Sequence, residues 1–169
     1  LQFGSDGVTV DMGAPCFEPA RIPVAADSNR VALSCEGRDI AFFCVSMGNP
    51  HAVCFMENLS DVEELEIEKI GPHFENANFF PDRVNTEFVK LIDENTVQMR
   101  VWERGSAETW ACGTGTCATV MACILNGLTE NKVLVHLRGG DLTIEYDEKT
   151  NHVFMTGSAT TVFDGVIEL

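Results

Sequence analysis

The sequence predicts an α+β fold in which an antiparallel-rich sheet curls around one central, buried helix. Short segments with alternating apolar residues predominate, and residues 96–103 are the clearest example. One longer run, residues 118–125, is almost entirely apolar and therefore predicts a helix inside the domain. A sheet that curls around this helix would bury both, and no internal repeat is visible.

Length and charge restrict the possible functions. The 169 residues are enough for one good-sized core or two small ones. The 26 acidic and 11 basic residues give a net charge of −15, which repels phosphate backbones and anionic membranes. No apolar run approaches the roughly 20 residues that span a bilayer, and no signal peptide is visible. Because the first residue is Leu1, we expect a fragment, a processed product or a chain that lacks its beginning.

The cysteines and histidines indicate reduced thiols and no metal site. The number of cysteines is odd and no Cys-x-x-Cys pair occurs, so a disulfide framework is not expected and a cytoplasmic location fits better. The four histidines lack the spacing of zinc ligands, and we predict neither a metal nor another cofactor. The cysteines are at positions 16, 35, 44, 54, 112, 117 and 123.

Local patterns in the first third of the chain predict four strands and two turns. Three prolines between residues 15 and 23 predict loop and edge structure, and a turn at Gly37-Arg38 predicts a hairpin. Residues 48–51, Gly-Asn-Pro-His, form a second turn signal, and turn chemistry alone could explain Asn49 and His51. The predicted strands are residues 8–10, 30–36, 39–47 and 52–56.

The middle of the chain predicts a surface helix and the last part predicts more strands. A capping box at residues 60–63 predicts a short acidic helix from about Asp61 to Ile70, which Gly71-Pro72 should end. Gly139-Gly140 predicts the two-residue turn of a hairpin. The remaining predicted strands are residues 83–92, 96–103, 133–137, 142–146, 152–155 and about 160–168.

Residues 101–125 carry the candidate chemistry. A helix is predicted to begin near Thr114 or Thr116 and to stop at Asn126-Gly127, which places Cys112 at its start. Unpaired N–H groups at a helix start can hold a carboxylate and favour a thiolate, so Cys112 is a candidate reactive thiol beside an anion site. The alternative is that Cys112 is a small buried apolar residue in a tight turn.

Three motifs in this order resemble the C-terminal half of diaminopimelate epimerase. They are Met47-Gly48-Asn49-Pro50-His51-Ala52-Val53, residues 80–89 (FPDRVNTEFV), and Glu103-Arg104-Gly105 leading into Ala111-Cys112-Gly113-Thr114-Gly115. Each motif is weak singly, but together they are specific. The resemblance extends from about Val8 to the end of the chain, with Ala107 in place of a glycine that is usual in the family.

The resemblance implies a cofactor-independent isomerase with two similar domains, each a barrel-like sheet around a central helix. Such an enzyme interconverts L,L- and meso-diaminopimelate, for lysine and peptidoglycan synthesis, with one cysteine from each domain acting on opposite faces of the α-carbon. Cys112 would be the second of these cysteines. Asn49, Asn85, Glu103, Arg104, Gly113 and Thr114 would contact substrate, while His51 and Glu103 would tune the thiols.

The same matching predicts that the first domain is absent. No Cys-Gly-Asn-Gly-type segment occurs, so we expect residues 1–13 and 158–169 to belong with a missing N-terminal domain and residues 14–157 to form the C-terminal epimerase domain. The missing N-terminal domain, which would carry the other thiol, is the predicted partner, and a homodimer is possible. Three alternatives stay open: a proline or hydroxyproline racemase-like enzyme, an inactive ligand-binding half, and a structural salt bridge between Glu103 and Arg104.

Overall fold

In the part of the chain that it describes, the computed structural model has two α-helices and eleven strands. It describes residues 1–4, 7–35, 38–56 and 61–168. The Gly37 turn, Ser60 of the capping box and Leu169 of the predicted last strand lie outside these ranges. The helices are α1 (Ile67–Glu75) and α2 (Gly113–Leu125). The strands are β1 (Gln2–Gly4), β2 (Gly7–Asp11), β3 (Arg30–Cys35), β4 (Arg38–Ser46), β5 (Pro50–Phe55), β6 (Asn85–Asp93), β7 (Thr96–Glu103), β8 (Ala107–Thr109), β9 (Lys132–Leu137), β10 (Gly140–Asp147) and β11 (His152–Gly157).

The strands form one mixed sheet in the order β1-β2-β11-β10-β9-β7-β6-β5-β4-β3, with β8 paired to β7. Among the described strands, β5 with β6 and β7 with β9 pair in parallel, and the other pairs are antiparallel. Each parallel pair needs a crossover connection, and α1 and α2 lie in these two connections. Within the described ranges no ladder joins β1 to β3, so the mixed sheet is confirmed but a closed barrel is not supported.

The sheet separates two apolar cores because neighbouring residues of a strand point to opposite faces. On β4, Phe43 and Val45 pack in the core that contains α2, whereas Phe42 and Cys44 pack in the second core with Phe74 of α1. All residues from 115 to 123 of α2 are buried. The prediction of a buried central helix is therefore confirmed, and its start is fixed against the sheet.

Several predicted boundaries were wrong. The helix α1 begins at Ile67 and continues through Pro72 to Glu75. A proline at this interior position removes a backbone hydrogen bond, and the full burial of Ile67 and Phe74 offsets the loss. A separate 3-10 helix, Val62–Glu64, follows Asp61, whose side chain accepts the Glu63 N–H. The strand β5 already begins at Pro50.

The two ends of the chain differ in their relation to the sheet. The strand β2 pairs with β11, so residues 7–11 continue the same sheet. Residues 160–168 were predicted as a strand but form none, and Phe163 and Val166 are 82% and 99% exposed. An extended segment becomes a strand only beside a partner backbone, and the described part of the chain pairs none with it. Within that part, no helix is long and apolar enough to cross a membrane.

Candidate active site

The sulfur of Cys112 caps the buried helix α2. Cys112 has extended backbone angles and is the N-cap, so the helix begins one residue later, at Gly113. Its Sγ accepts the N–H of Gly115 at 3.4 Å and lies 3.6 Å from the hydroxyl oxygen of Thr114. The prediction of a threonine cap was therefore wrong, since the thiol itself occupies the capping position. Cys112 is 7% exposed.

A chain of hydrogen bonds connects this thiol to the start of β5. Asn49 Nδ2 donates to Thr114 Oγ1 at 3.3 Å, and Asn49 Oδ1 accepts from His51 Nε2 at 3.0 Å. His51 Nδ1 lies 2.7 Å from Glu87 Oε1, and both side chains are fully buried. The structure thus brings four of the predicted residues into one hydrogen-bonded group with Glu87, which was not predicted. The four are Cys112, Thr114, Asn49 and His51.

Glu87 is the residue that sequence reasoning missed. It lies on β6, two residues before the fully buried Val89 and on the same face, and its Oε2 has no hydrogen-bond partner. Burial raises the pKa of Glu87 from 4.5 to about 7, although His51 opposes this shift. The available signal was an acidic residue on the same face of the predicted strand as Val89.

Two other predicted residues, Asn85 and Arg104, are tied to each other. Asn85 Oδ1 accepts the backbone N–H of Arg104 at 2.8 Å, while Asn85 Nδ2 donates to the carbonyl of Pro50 at 2.9 Å. The guanidinium of Arg104 donates to the carbonyl oxygen of Asp82 at 3.0 Å. Asn85 therefore fixes the backbone between β5 and the end of β7, and the Arg104 side chain is not hydrogen-bonded to the Cys112 group.

Glu103 and Arg104 do not form the structural salt bridge that was considered. Both lie inside the described ranges, and no ion pair joins them; the hydroxyl of Thr109 donates to Glu103 instead. Gly113 is packed beside β11, since a Cβ on it would lie 3.1 Å from the sulfur of Met155. The N–H groups of Gly113 and Thr114 belong to the first turn, where no intrahelical acceptor precedes them.

The electrostatic environment keeps Cys112 protonated. Burial, together with the charges of Glu87 and Glu103, raises the pKa of the Cys112 thiol from 9.0 to about 11, although the hydrogen bonds from Thr114 and Gly115 oppose this shift. The Gly115 N–H at the helix start lowers the pKa of Cys112, but burial has the larger effect. Desolvation and two carboxylates outweigh two hydrogen-bond donors.

Comparisons with known proteins identify the family. The family model for diaminopimelate epimerase matches residues 43–162. Two relatives named diaminopimelate epimerase, from Agathobacter rectalis and Methanococcus maripaludis, are 60% and 52% identical over 96% of this chain. The chain belongs to the diaminopimelate epimerase family.

The chain spans 58–59% of the length of these curated relatives of the diaminopimelate epimerase family. Among solved structures, a hydroxyproline epimerase from Agrobacterium vitis with bound trans-4-hydroxy-L-proline matches with a TM-score of 0.59 and 17% identity. This match covers 90% of this chain and 50% of the other. At this identity the likeness shows a shared fold.

Proposed function

We propose that this chain is the part of a diaminopimelate epimerase that supplies one of two catalytic thiols, Cys112. The observation that carries the proposal is a cysteine sulfur at the start of a buried helix, hydrogen-bonded to Gly115 N–H and beside Thr114 and Asn49. Family membership and the relatives named diaminopimelate epimerase support diaminopimelate as the substrate. The reaction interconverts L,L- and meso-diaminopimelate without a cofactor.

Cys112 is suited to deliver the proton in this reaction. A thiol with a pKa of about 11 is protonated at neutral pH, so in this environment it is a proton donor. When it has given up its proton, the Gly115 N–H and the Thr114 hydroxyl can donate to the sulfur. A thiolate on the opposite face of the α-carbon would remove the first proton.

The second thiol is proposed to come from an N-terminal epimerase domain outside these 169 residues. Inversion at one carbon requires a base on one face and an acid on the other, and one sulfur cannot occupy both positions. We therefore expect the chain alone not to epimerise diaminopimelate. Addition of the N-terminal domain, covalently or as a separate chain, should restore the reaction.

The polar residues around the thiol are proposed to bind the two amino-acid ends of the substrate. Arg104 suits a carboxylate because its guanidinium can donate two parallel hydrogen bonds, and the N–H groups of Gly113 and Thr114 suit a second carboxylate. Glu103 suits an ammonium group. Asn49 and Asn85 can contact either group, and binding of Arg104 would require its side chain to leave the carbonyl of Asp82.

Exchange of the α-hydrogen tests the proposal. The chain combined with the N-terminal domain is incubated with L,L-diaminopimelate in D₂O, and deuterium at the α-carbon and formation of the meso isomer are measured. We expect Cys112→Ser to reduce epimerisation by at least about 10³-fold, because it removes one of the two proton-transfer groups.

Cys117 provides the matched control. It lies on the same helix, is fully buried, and has a thiol pKa raised by burial to about 12. Cys117→Ser should leave epimerisation within a few-fold of the unmodified protein. Equal losses for both variants, or turnover by the 169 residues alone, would overturn the assignment. Proline and hydroxyproline serve as comparison substrates, and preference for either would favour the racemase alternative.

A further inference from the structure

A buried carboxylate lies directly behind the two groups that the proposed reaction uses. Glu87 Oε1 contacts His51 at 2.7 Å, and a Cβ built on Gly115 would lie 2.6 Å from this oxygen and 3.2 Å from the Cys112 sulfur. The carboxylate and the sulfur therefore approach the same glycine. Only a residue without a side chain at position 115 allows this arrangement.

The hydrogen bonds fix how many protons the buried group holds. Asn49 uses its Nδ2 to donate to Thr114, so its Oδ1 faces His51 and requires a proton on Nε2. One further proton lies between His51 Nδ1 and Glu87 Oε1. While this proton is present the pair is neutral overall, either as an ion pair or as a carboxylic acid beside a neutral imidazole, and its loss leaves one negative charge beside the Cys112 sulfur.

This arrangement also directs a donor toward the thiol. Thr114 Oγ1 already accepts a hydrogen bond from Asn49, so its own hydroxyl proton is available for the Cys112 sulfur at 3.6 Å. The orientation of Thr114 thus depends on Asn49, and that of Asn49 depends on His51. The first member of the chain is Glu87.

The charge of Glu87 acts on the same sulfur through space. Burial is the largest cause of the raised pKa of Cys112, and the charge of Glu87 is the second. Among the described residues, no cation contacts the second oxygen of Glu87. The other ionisable groups around Glu87 are His51 on β5, Glu103 on β7, and the buried thiols Cys44 and Cys54. Of these, only His51 can supply a positive charge.

We propose that Glu87 is a positioning residue that couples the protonation of His51 to that of Cys112, and that it holds Cys112 as a thiol. This inference rests on the proposed function, since it assigns a purpose to Cys112 as proton donor. Nothing in the arrangement requires Glu87 to touch substrate. Loss of its charge should release the Cys112 proton more easily.

The pH dependence of Cys112 alkylation tests the coupling without any substrate. The rate of modification by iodoacetamide is measured from pH 6 to pH 11 by peptide mass spectrometry, which reports Cys112 separately from the other thiols. In Glu87→Gln the midpoint for Cys112 should fall by about one pH unit or more, because an opposing charge is removed. Glu87→Asp, which keeps the charge, should restore most of the original midpoint.

Glu75 supplies the matched control, because it is a second buried carboxylate whose partners do not include Cys112. Glu75→Gln should leave the alkylation midpoint of Cys112 unchanged even if the protein is less stable. An equal shift in Glu75→Gln and Glu87→Gln, or no shift in either, would overturn the inference.

A second measurement covers the case in which Glu87→Gln does not fold. In the unmodified protein, the ¹³C signal of the Glu87 carboxyl should respond to the titration of Cys112, and this response should disappear in Cys112→Ser. A Glu87 signal identical in both proteins at every pH would contradict the coupling. Failure of deuterium exchange together with a normal coupling would instead count against the proposed function alone.

Discussion

The buried carboxylates Glu75 and Glu87 are held in opposite ways. Glu75, at the end of α1, has both oxygens occupied: Oε1 accepts from Arg83 at 3.0 Å and from Gly105 N–H at 2.9 Å, and Oε2 accepts from the Trp102 indole at 2.7 Å. Glu87 has one partner, His51, and its Oε2 has none. A saturated carboxylate fixes neighbouring groups, whereas an unsaturated one remains sensitive to nearby charge.

The difference indicates a structural role for Glu75 and an electrostatic role for Glu87. Glu75 holds the turn after β7 and the Trp102 ring, and thereby the backbone on which Glu103 and Arg104 lie. Glu87 contributes an uncompensated lone pair at a cost in stability, since an unpaired buried polar atom is unfavourable. The proposed effect of Glu87 on the protonation of Cys112 would explain why this unpaired atom is present.

Removal of Glu75 should have the largest effect on stability. Glu75→Ala leaves the Trp102 N–H and the Gly105 N–H without their acceptor, and we expect a loss of about 2–4 kcal/mol in the free energy of unfolding. Urea denaturation at pH 7 measures it. The half-exposed Arg83 can turn to water, so Arg83→Ala should cost much less; an equal cost would show that the ion pair dominates.

A methyl group on Gly71 should test the same anchor from the other side of the ring. A Cβ there would lie 2.3 Å from Cδ2 of Trp102, so the ring that donates to Glu75 must shift. We expect Gly71→Ala to cost about 1–3 kcal/mol, although alanine is otherwise favoured in a helix by roughly 1 kcal/mol. When Gly71→Ala is combined with Glu75→Ala in one protein, urea denaturation should show a loss in the free energy of unfolding smaller than the sum of the two single losses. Full additivity would contradict a shared Trp102 contact.

Glu87→Gln should change stability in a pH-dependent way. The pKa of Glu87 rises from 4.5 to about 7 on folding, so the native state binds the proton more tightly and stability decreases as pH rises from 4.5 through 7. The variant cannot ionise and should therefore gain relative stability above pH 7, on the order of 2 kcal/mol. Thermal unfolding at pH 5 and pH 8 measures this gain. A constant difference at both pH values would contradict it.

The smallest effect is expected at Ala107, the first residue of β8, directly after the turn that Glu75 anchors. Ala107 has φ of 62°, a left-handed conformation that costs an alanine about 1 kcal/mol more than a glycine. Ala107→Gly should therefore raise stability by roughly 0.5 kcal/mol, after the greater entropy of glycine in the unfolded chain is counted. Ser106→Gly, at a neighbouring position without positive φ, should lower it. Matched thermal melts of the two variants give the comparison.

Local patterns were sufficient for much of the fold and for the position of the thiol. The apolar run of α2, the alternation of β7 and the turn before β10 depend on neighbouring residues, and these elements appear within one or two residues of prediction. The motifs that contain Asn49, His51 and Cys112 also indicated the family. They did not indicate β8, a three-residue strand whose pairing with β7 depends on a tertiary turn.

What the sequence determined by itself was the buried helix, the cysteine at its start and the family to which both belong, because these are encoded in contiguous residues. Only the tertiary structure decided that Glu87 lies behind His51, that Asn85 holds the Arg104 backbone, and that burial raises the pKa of the Cys112 thiol. These properties depend on burial and on charges brought together from β5, β6, β7 and α2. The distances between these groups and their exclusion from solvent depend on the whole sheet, so a local sequence pattern cannot predict them.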